Sequence, residues 1–216
     1  MTEKTIIEEI KKMITDAWDE FKTYYDNKAP EYSKKWKGQR GELQQDHWIC
    51  WDEHDLCFQV GRFFYDKLNK EKEKNEDFSD IEIHFEKKLD TINFGGFKFE
   101  DKLDKLILKD FGMKKGPKID LIIAHESSDE PFLLCAEVKC FRTTVSDAEI
   151  DKDIEKLRII KEEGIAEEVV FMVFDDYYFT QKRTGDKIES IKSKASNKGV
   201  KVLYHNSKKK LCLSGC

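Results

Sequence analysis

The chain has 216 residues and a mass of 25.5 kDa, the size of one domain or of one domain with an appendage. Phe, Ile, Leu and Val make up about a quarter of it, above the roughly 20% below which chains stay disordered. It can therefore bury a core, although 38% of its residues are charged and its mean hydropathy is −0.70. Wholesale disorder, a collagen-like fibre and a membrane protein are excluded on this reading. No apolar run approaches the ~18 residues needed to span a bilayer, and the opening MTEKTIIEEIKK lacks a signal peptide's apolar stretch.

The 39 basic and 44 acidic residues leave a net charge of −5, unevenly spread. From Ser190 to Cys216 there are seven lysines and no acid, so that segment carries +7 against −12 for the rest. Such a segment suits either contact with phosphates or a solvated end. The six cysteines (Cys50, Cys57, Cys135, Cys140, Cys212 and Cys216) form no CxxC pair and no His-spaced zinc pattern. Several sit in apolar runs, where a thiol behaves as a small hydrophobe. They read as reduced, in a cytoplasmic protein.

In chain order, residues 3–27 read as an amphipathic helix, with Ile6, Ile10, Met13, Ile14, Ala17, Phe21 and Tyr24 at spacings of three and four. Ala29-Pro30 is expected to stop it. Residues 31–50 are polar and irregular, a linker or an arm. A second helix is expected from Asp52, a plausible N-cap, to about Leu68, with Leu56, Val60, Phe63, Phe64 and Leu68 on one face. Residues 69–80 are charged and read as an exposed loop. Residues 81–86 alternate as a strand should, Ile81, Ile83 and Phe85 on one side and His84 on the other. Within residues 87–116 the Gly95-Gly96 pair suggests a turn and residues 103–111 a short helix.

The pattern then sharpens. Residues 119–124 and 132–140 read as strands around a turn at 125–131, the second so continuously apolar that both its faces should be covered. Ser146 can cap a helix through about Glu163, with Ile150, Ile154, Leu157, Ile160 and Ile165 as its buried stripe and Gly164 as its stop. Residues 168–174 form another buried strand, 185–197 a helix and 199–204 a last strand. Strands followed by alternating helices and strands argue for an α/β fold, a mixed sheet with helices on its faces.

The hairpin carries the chemistry. With its turn on Ser127–Glu130, opposed residue numbers sum to 257, as those of Asp120 and Glu137 do. Directly opposed residues share a face with Cβ atoms about 4.5–5.5 Å apart, and Lys139, two beyond Glu137, joins that face. A bulge at Pro131 would shift this register by one. Two close carboxylates repel, and ionising both needs a cation. Mg²⁺ is a hard ion commonly held by one or two carboxylates, with waters and substrate phosphates completing its shell. A lysine beside it stabilises charge developing on phosphorus. The bland counterpart is an ordinary ion-pair cluster at a sheet edge.

Ile119-Asp120 followed by Glu137-Val138-Lys139, with a hairpin filling the gap, resembles the PD-(D/E)XK nuclease superfamily, the restriction-endonuclease-like fold. That family's core is helix, three strands, helix, strand (αβββαβ), the order read here over about 120 residues from Asp52 to Phe174. This sequence has Ile119 where the family pattern has proline, with Pro117 two residues earlier. The resemblance implies a mixed sheet flanked by helices with an N-terminal helical appendage: residues 1–50 as helix and arm, 51–206 as the nuclease-like domain and 207–216 as a basic tail. It implies a Mg²⁺-dependent nuclease, Mn²⁺ substituting, that cuts nucleic acid, DNA rather than RNA, through a metal-activated water. Asp120 and Glu137 would hold the metal, Lys139 would act on the water or the charged phosphate, and Glu53 would supply the acid that many members place on the first core helix. Asp52 and Asp55 are rivals to Glu53, and Gln59, off its face, reads as structural.

Lys156, Lys192 and Lys194 are candidate nucleic-acid contacts. Asp151 and Asp153 belong to the same helix as Lys156, where charges on an exposed face usually only solvate it. His84, and the aromatic cluster Trp36, Trp48 and Trp51 with Arg40 and His47, are weaker candidates for approach to the site and for base stacking. Cutting both strands of a duplex would be simplest from a homodimer. The alternative is a catalytically inactive nucleic-acid-binding or assembly module on the same fold; intact Asp120, Glu137 and Lys139 count against it.

Overall fold

The computed structural model describes residues 2–35, 53–88, 118–126, 130–140, 145–175 and 185–206. Helix α1 (Glu3–Lys35) and helix α2 (Glu53–Lys72) precede three strands, β1 (Ile81–Lys88), β2 (Lys118–His125) and β3 (Phe132–Cys140). Helix α3 (Asp147–Glu162), strand β4 (Ala166–Asp175), helix α4 (Gly185–Ser196) and strand β5 (Lys201–Asn206) follow. The strands form one mixed sheet in the order β1-β2-β3-β4-β5. The β1–β2 and β2–β3 pairs are antiparallel, and the β3–β4 and β4–β5 pairs are parallel.

Alternation along the central strands sends successive side chains into two separate apolar layers. Leu134, Ala136, Val138, Val170, Met172 and Phe174 face α1 and α2. Cys135, Val169, Phe171 and Val173 pack with Ile150, Ile154 and Leu157 of α3 and Ile188 and Ile191 of α4. A strand covered on both faces needs the unbroken apolar run seen in β3.

Helix α1 belongs to this core. Ile10, Ile14, Ala17, Trp18, Phe21 and Tyr25 are all buried. The Phe21 and Tyr25 rings meet Phe174 with centroids 5.3 and 4.6 Å apart, and Trp18 Nε1 donates to the Tyr204 carbonyl at 3.3 Å. The helix also continues through Ala29-Pro30, where a stop was expected. Proline removes one hydrogen bond from the ladder, a local penalty of about 3 kcal/mol, and the burial of the preceding turns favours a continuous rod. Residues 69–80, expected as a loop, are ordered instead. α2 runs on to Lys72, and a 3₁₀ turn over Glu76–Phe78, capped by the Asn75 side chain, buries Phe78 completely. One apolar residue in a charged stretch is enough to pin it.

The helix ends follow the local chemistry. Ser146 caps α3 in a reciprocal box: its Oγ accepts from Glu149 N at 3.2 Å, while Glu149 Oε2 accepts from Ser146 N at 2.8 Å. Gly164, at φ +66°, ends the helix in a Schellman motif, with Ile165 N donating to Ile160 O and Gly164 N to Lys161 O. Gly199, at φ +68°, does the same after α4 through Val200 and Ala195. Ser146→Ala should cost about 1 kcal/mol, read as a lower denaturant midpoint at unchanged slope; an unchanged midpoint would show the cap to be dispensable.

The expected arm over residues 31–50 falls partly on α1, and its remainder lies outside the described residues. So do Trp36, Trp48, Trp51, Arg40, His47, Asp52, Cys50, Cys212, Cys216, the 95–96 turn, the 103–111 helix and the 207–216 tail. Cys57, Cys135 and Cys140 are buried. Among the described residues no helix is long and apolar enough to cross a membrane.

Candidate functional site

The hairpin register is the one the numbering implied. Leu121 pairs with Ala136, Ile122 with Cys135 and Ile123 with Leu134, so Asp120 and Glu137 occupy the next position of the same ladder. Parallel strands β3 and β4 end beside them, and crevices at the carboxyl ends of such strands are where open α/β sheets hold ligands. The Asp120 carboxylate is fixed by the backbone, its Oδ2 accepting from Val138 N at 2.8 Å. Its carbonyl accepts from the Cys57 thiol of α2 at 3.3 Å, which ties the first turns of that helix to this end of the sheet.

Glu137 and Lys139 point from β3 toward α3, whose Asp153 and Lys156 lie three apart on one face. Lys156 Nζ stands 2.7 Å from Glu137 Oε1 and 3.3 Å from Asp153 Oδ1, and it donates to the Lys118 carbonyl at 3.0 Å. Lys139 Nζ stands 3.0 Å from Asp153 Oδ2 and 3.2 Å from Glu53 Oε2. The groups form one alternating chain, Glu53–Lys139–Asp153–Lys156–Glu137. With Asp120 beside it, four carboxylates face two ammonium groups.

Burial sets the electrostatics. Glu137 is 2% exposed and Lys156 7%. Burial pushes the Glu137 carboxyl well above its ordinary range; Lys156 offsets this only in part, while Asp120 and Asp153 add to it. Glu53 is raised in the same way, by burial against the pull of Lys139. Burial opposes the charge of both lysines, yet their carboxylates outweigh it and hold them above the usual lysine value: Asp153 and Glu53 for Lys139, Glu137 and Asp153 for Lys156. The thiols of Cys57 and Cys135 are pushed far up by burial and are inert as nucleophiles.

The structure thus brings Asp120, Glu137, Lys139 and Glu53 to one end of the sheet and leaves Asp55, in the same first turn of α2 as Glu53, exposed. Lys156, expected at a nucleic-acid surface, is instead buried inside the cluster. Lys192 and Lys194 lie on α4, where Lys192 pairs with Glu189 and stands 4.2 Å over the Tyr204 ring, and Lys194 pairs with Asp151 at 2.8 Å. His84 lies in mid-strand opposite Ile122. Asp153 is the site residue that sequence reasoning set aside as solvation. Its signal was present: it lies seven before Ile160 and so shares that residue's buried face.

Glu86 adds a local feature. It is the one non-glycine residue with positive φ among those described, at 52°, and its strand position lies opposite Asp120. Its carboxylate pairs with His54 Nε2 and with Lys118 Nζ. A left-handed residue costs about 1–2 kcal/mol, and both pairings lie at the edge of the site.

The donor set bears on a cation. Glu137 Oε1 is buried and is met by the Lys156 ammonium at 2.7 Å. Among the described residues no three His, Cys, Asp or Glu side chains stand close enough to enclose a metal. Mg²⁺ is commonly held by one or two carboxylates with water and phosphate oxygens around the rest, and Asp120 and Glu137 are donors of that kind. Compared with protein-family models, curated proteins and solved structures, the chain matches none of them.

Proposed function

We propose that this chain is a Mg²⁺-dependent nuclease of restriction-endonuclease-like type that hydrolyses phosphodiester bonds of nucleic acid, DNA in the first instance. The observation that carries the reading is the meeting of Asp120 and Glu137, in one ladder position, with Lys139 and Glu53 at the carboxyl ends of the parallel strands. The element order from α2 to β4 (helix, three strands, helix, strand) supports it. Asp120 and Glu137 would hold the ion, with Glu53 as a further acid. Bound there, Mg²⁺ would lower the pKa of a ligated water and hold the phosphate under attack. The chain's own part is positional: the Val138 amide fixes Asp120, and Glu53 and Asp153 hold the Lys139 ammonium where negative charge would develop on phosphorus.

The test is cleavage of plasmid, single-stranded DNA and RNA with Mg²⁺, with Mn²⁺ and with chelator, by wild type and Glu137→Gln. Metal-dependent cutting by wild type that Glu137→Gln loses is expected. In chelator the melting temperature of this variant should fall less with rising pH than that of wild type, whose Glu137 carboxyl holds its proton more tightly in the fold. Its carboxyl pKa is raised in the fold, so the stability tied to that proton is present at low pH and lost as pH rises through the folded value. Gln removes that slope. A second reading, an inactive binding module, is favoured by one observation: each lysine already bridges two carboxylates. No cutting of any substrate together with no metal binding would leave that module.

A further inference from the structure

Lys156 has no part in the chemistry just proposed, yet it is the only buried lysine among the described residues. A lysine on a helix ordinarily runs its stem along the surface and keeps its ammonium in water. Here the ammonium turns inward, and a buried charge costs heavily unless it is paired. Its partners are Glu137 Oε1 at 2.7 Å, Asp153 Oδ1 at 3.3 Å and the Lys118 carbonyl at 3.0 Å. The nearest of these is a fully buried oxygen, on a carboxylate proposed above as a metal ligand. The ammonium is a cation standing where a cation would have to act.

We infer that Lys156 is a built-in placeholder for the divalent ion: its ammonium neutralises Glu137 in the metal-free protein and passes to Asp153 when the ion takes the carboxylate. The inference rests on the metal-site reading above and extends it to α3. Asp153 is the receiving group. It already holds Lys139 at 3.0 Å through its other oxygen, so the transfer keeps both ammonium groups on one anchor. Lys156 in this role is a positioning residue. It sets how much of the ion's binding energy is spent on displacing a charge.

Calorimetric titration of Mg²⁺ at pH 8.5, where protons compete least for Glu137, tests the inference with wild type, Lys156→Met and the double variant Lys156→Met/Glu137→Gln. Thermal melts of all three are recorded in chelator and in Mg²⁺. Lys156→Met should bind Mg²⁺ about tenfold more tightly, because a like charge has left the ion's surroundings. It should also melt lower than wild type in chelator and gain more from Mg²⁺. The double variant should recover the chelator melting temperature, since no buried carboxylate is left without its counter-charge, and should lose the tight binding. Equal Mg²⁺ affinity in wild type and Lys156→Met overturns the placeholder. Failure of the double variant to recover overturns it as well, because it reduces Lys156 to packing. No Mg²⁺ binding by either wild type or Lys156→Met overturns the metal-site reading itself.

Discussion

Lys139→Ala should lower metal-dependent cleavage by about a hundred- to a thousandfold, the effect of removing one preorganised charge from a developing transition state. The ammonium is held between Asp153 and Glu53 at 3.0 and 3.2 Å, and its side chain is 14% exposed, so neither water nor a neighbouring lysine replaces it without rearrangement. Lys156, the nearest candidate, is tied to the Lys118 carbonyl and to Asp153. Single-turnover cleavage at saturating Mg²⁺ is the measurement, accompanied by Mg²⁺ titration of the variant. Loss of the cleavage rate with Mg²⁺ binding intact places Lys139 on the reacting phosphate. Loss of both makes it a support for Glu53 and Asp153, and cleavage within a fewfold of wild type removes it from the chemistry.

A chain begun at residue 36 should fail to fold. The seven residues of α1 from Ile10 to Tyr25 that are buried include Trp18, Phe21 and Tyr25, and burying a large apolar side chain stabilises by about 1.5–3 kcal/mol. Their joint removal is worth roughly 10 kcal/mol, comparable with the whole stability of a domain of this size. It would also leave Phe174 and Met172 of the inner strand β4 open to water. The expected result is an aggregated or molten product, with far-ultraviolet signal and no cooperative melt. Phe21→Ala is the milder version, with an expected loss of about 3–5 kcal/mol. A truncated chain that melted cooperatively near the full-length temperature would mean that α1 covers the sheet without stabilising it.

Both expectations show why the sequence was readable in some places and opaque in others. The hairpin register followed from residue numbering because side chains alternate with period two and the turn centre was given by Ser127–Glu130. The caps were equally legible: Ser146 and Glu149 close a box three residues long, and Gly164 takes a positive φ that other residues avoid. Pro30 misled because local propensity is a weak term beside the burial of Trp18, Phe21 and Tyr25. Residues 69–80 misled because a single buried Phe78 outweighs the charges around it. Asp153 read as solvated and Lys156 as a surface contact to nucleic acid because a helix tells which residues share a face but not what that face meets.

The sequence by itself determined the alternation of helix and strand from α2 onward, the apolar stripes of α1 and α3, and the placing of Asp120 opposite Glu137 with Lys139 two residues on. These are local matters, decided by periodicity, capping and turn chemistry within a few residues. Only the tertiary structure decided that α1 is part of the core, that Glu53 rather than Asp55 reaches Lys139, and that Lys156 crosses from α3 to neutralise Glu137. Those contacts join residues 19 to 186 positions apart. They depend on how helices settle on the two faces of the sheet, and burial, which no single segment specifies, turns four carboxylates and two lysines into a coupled site.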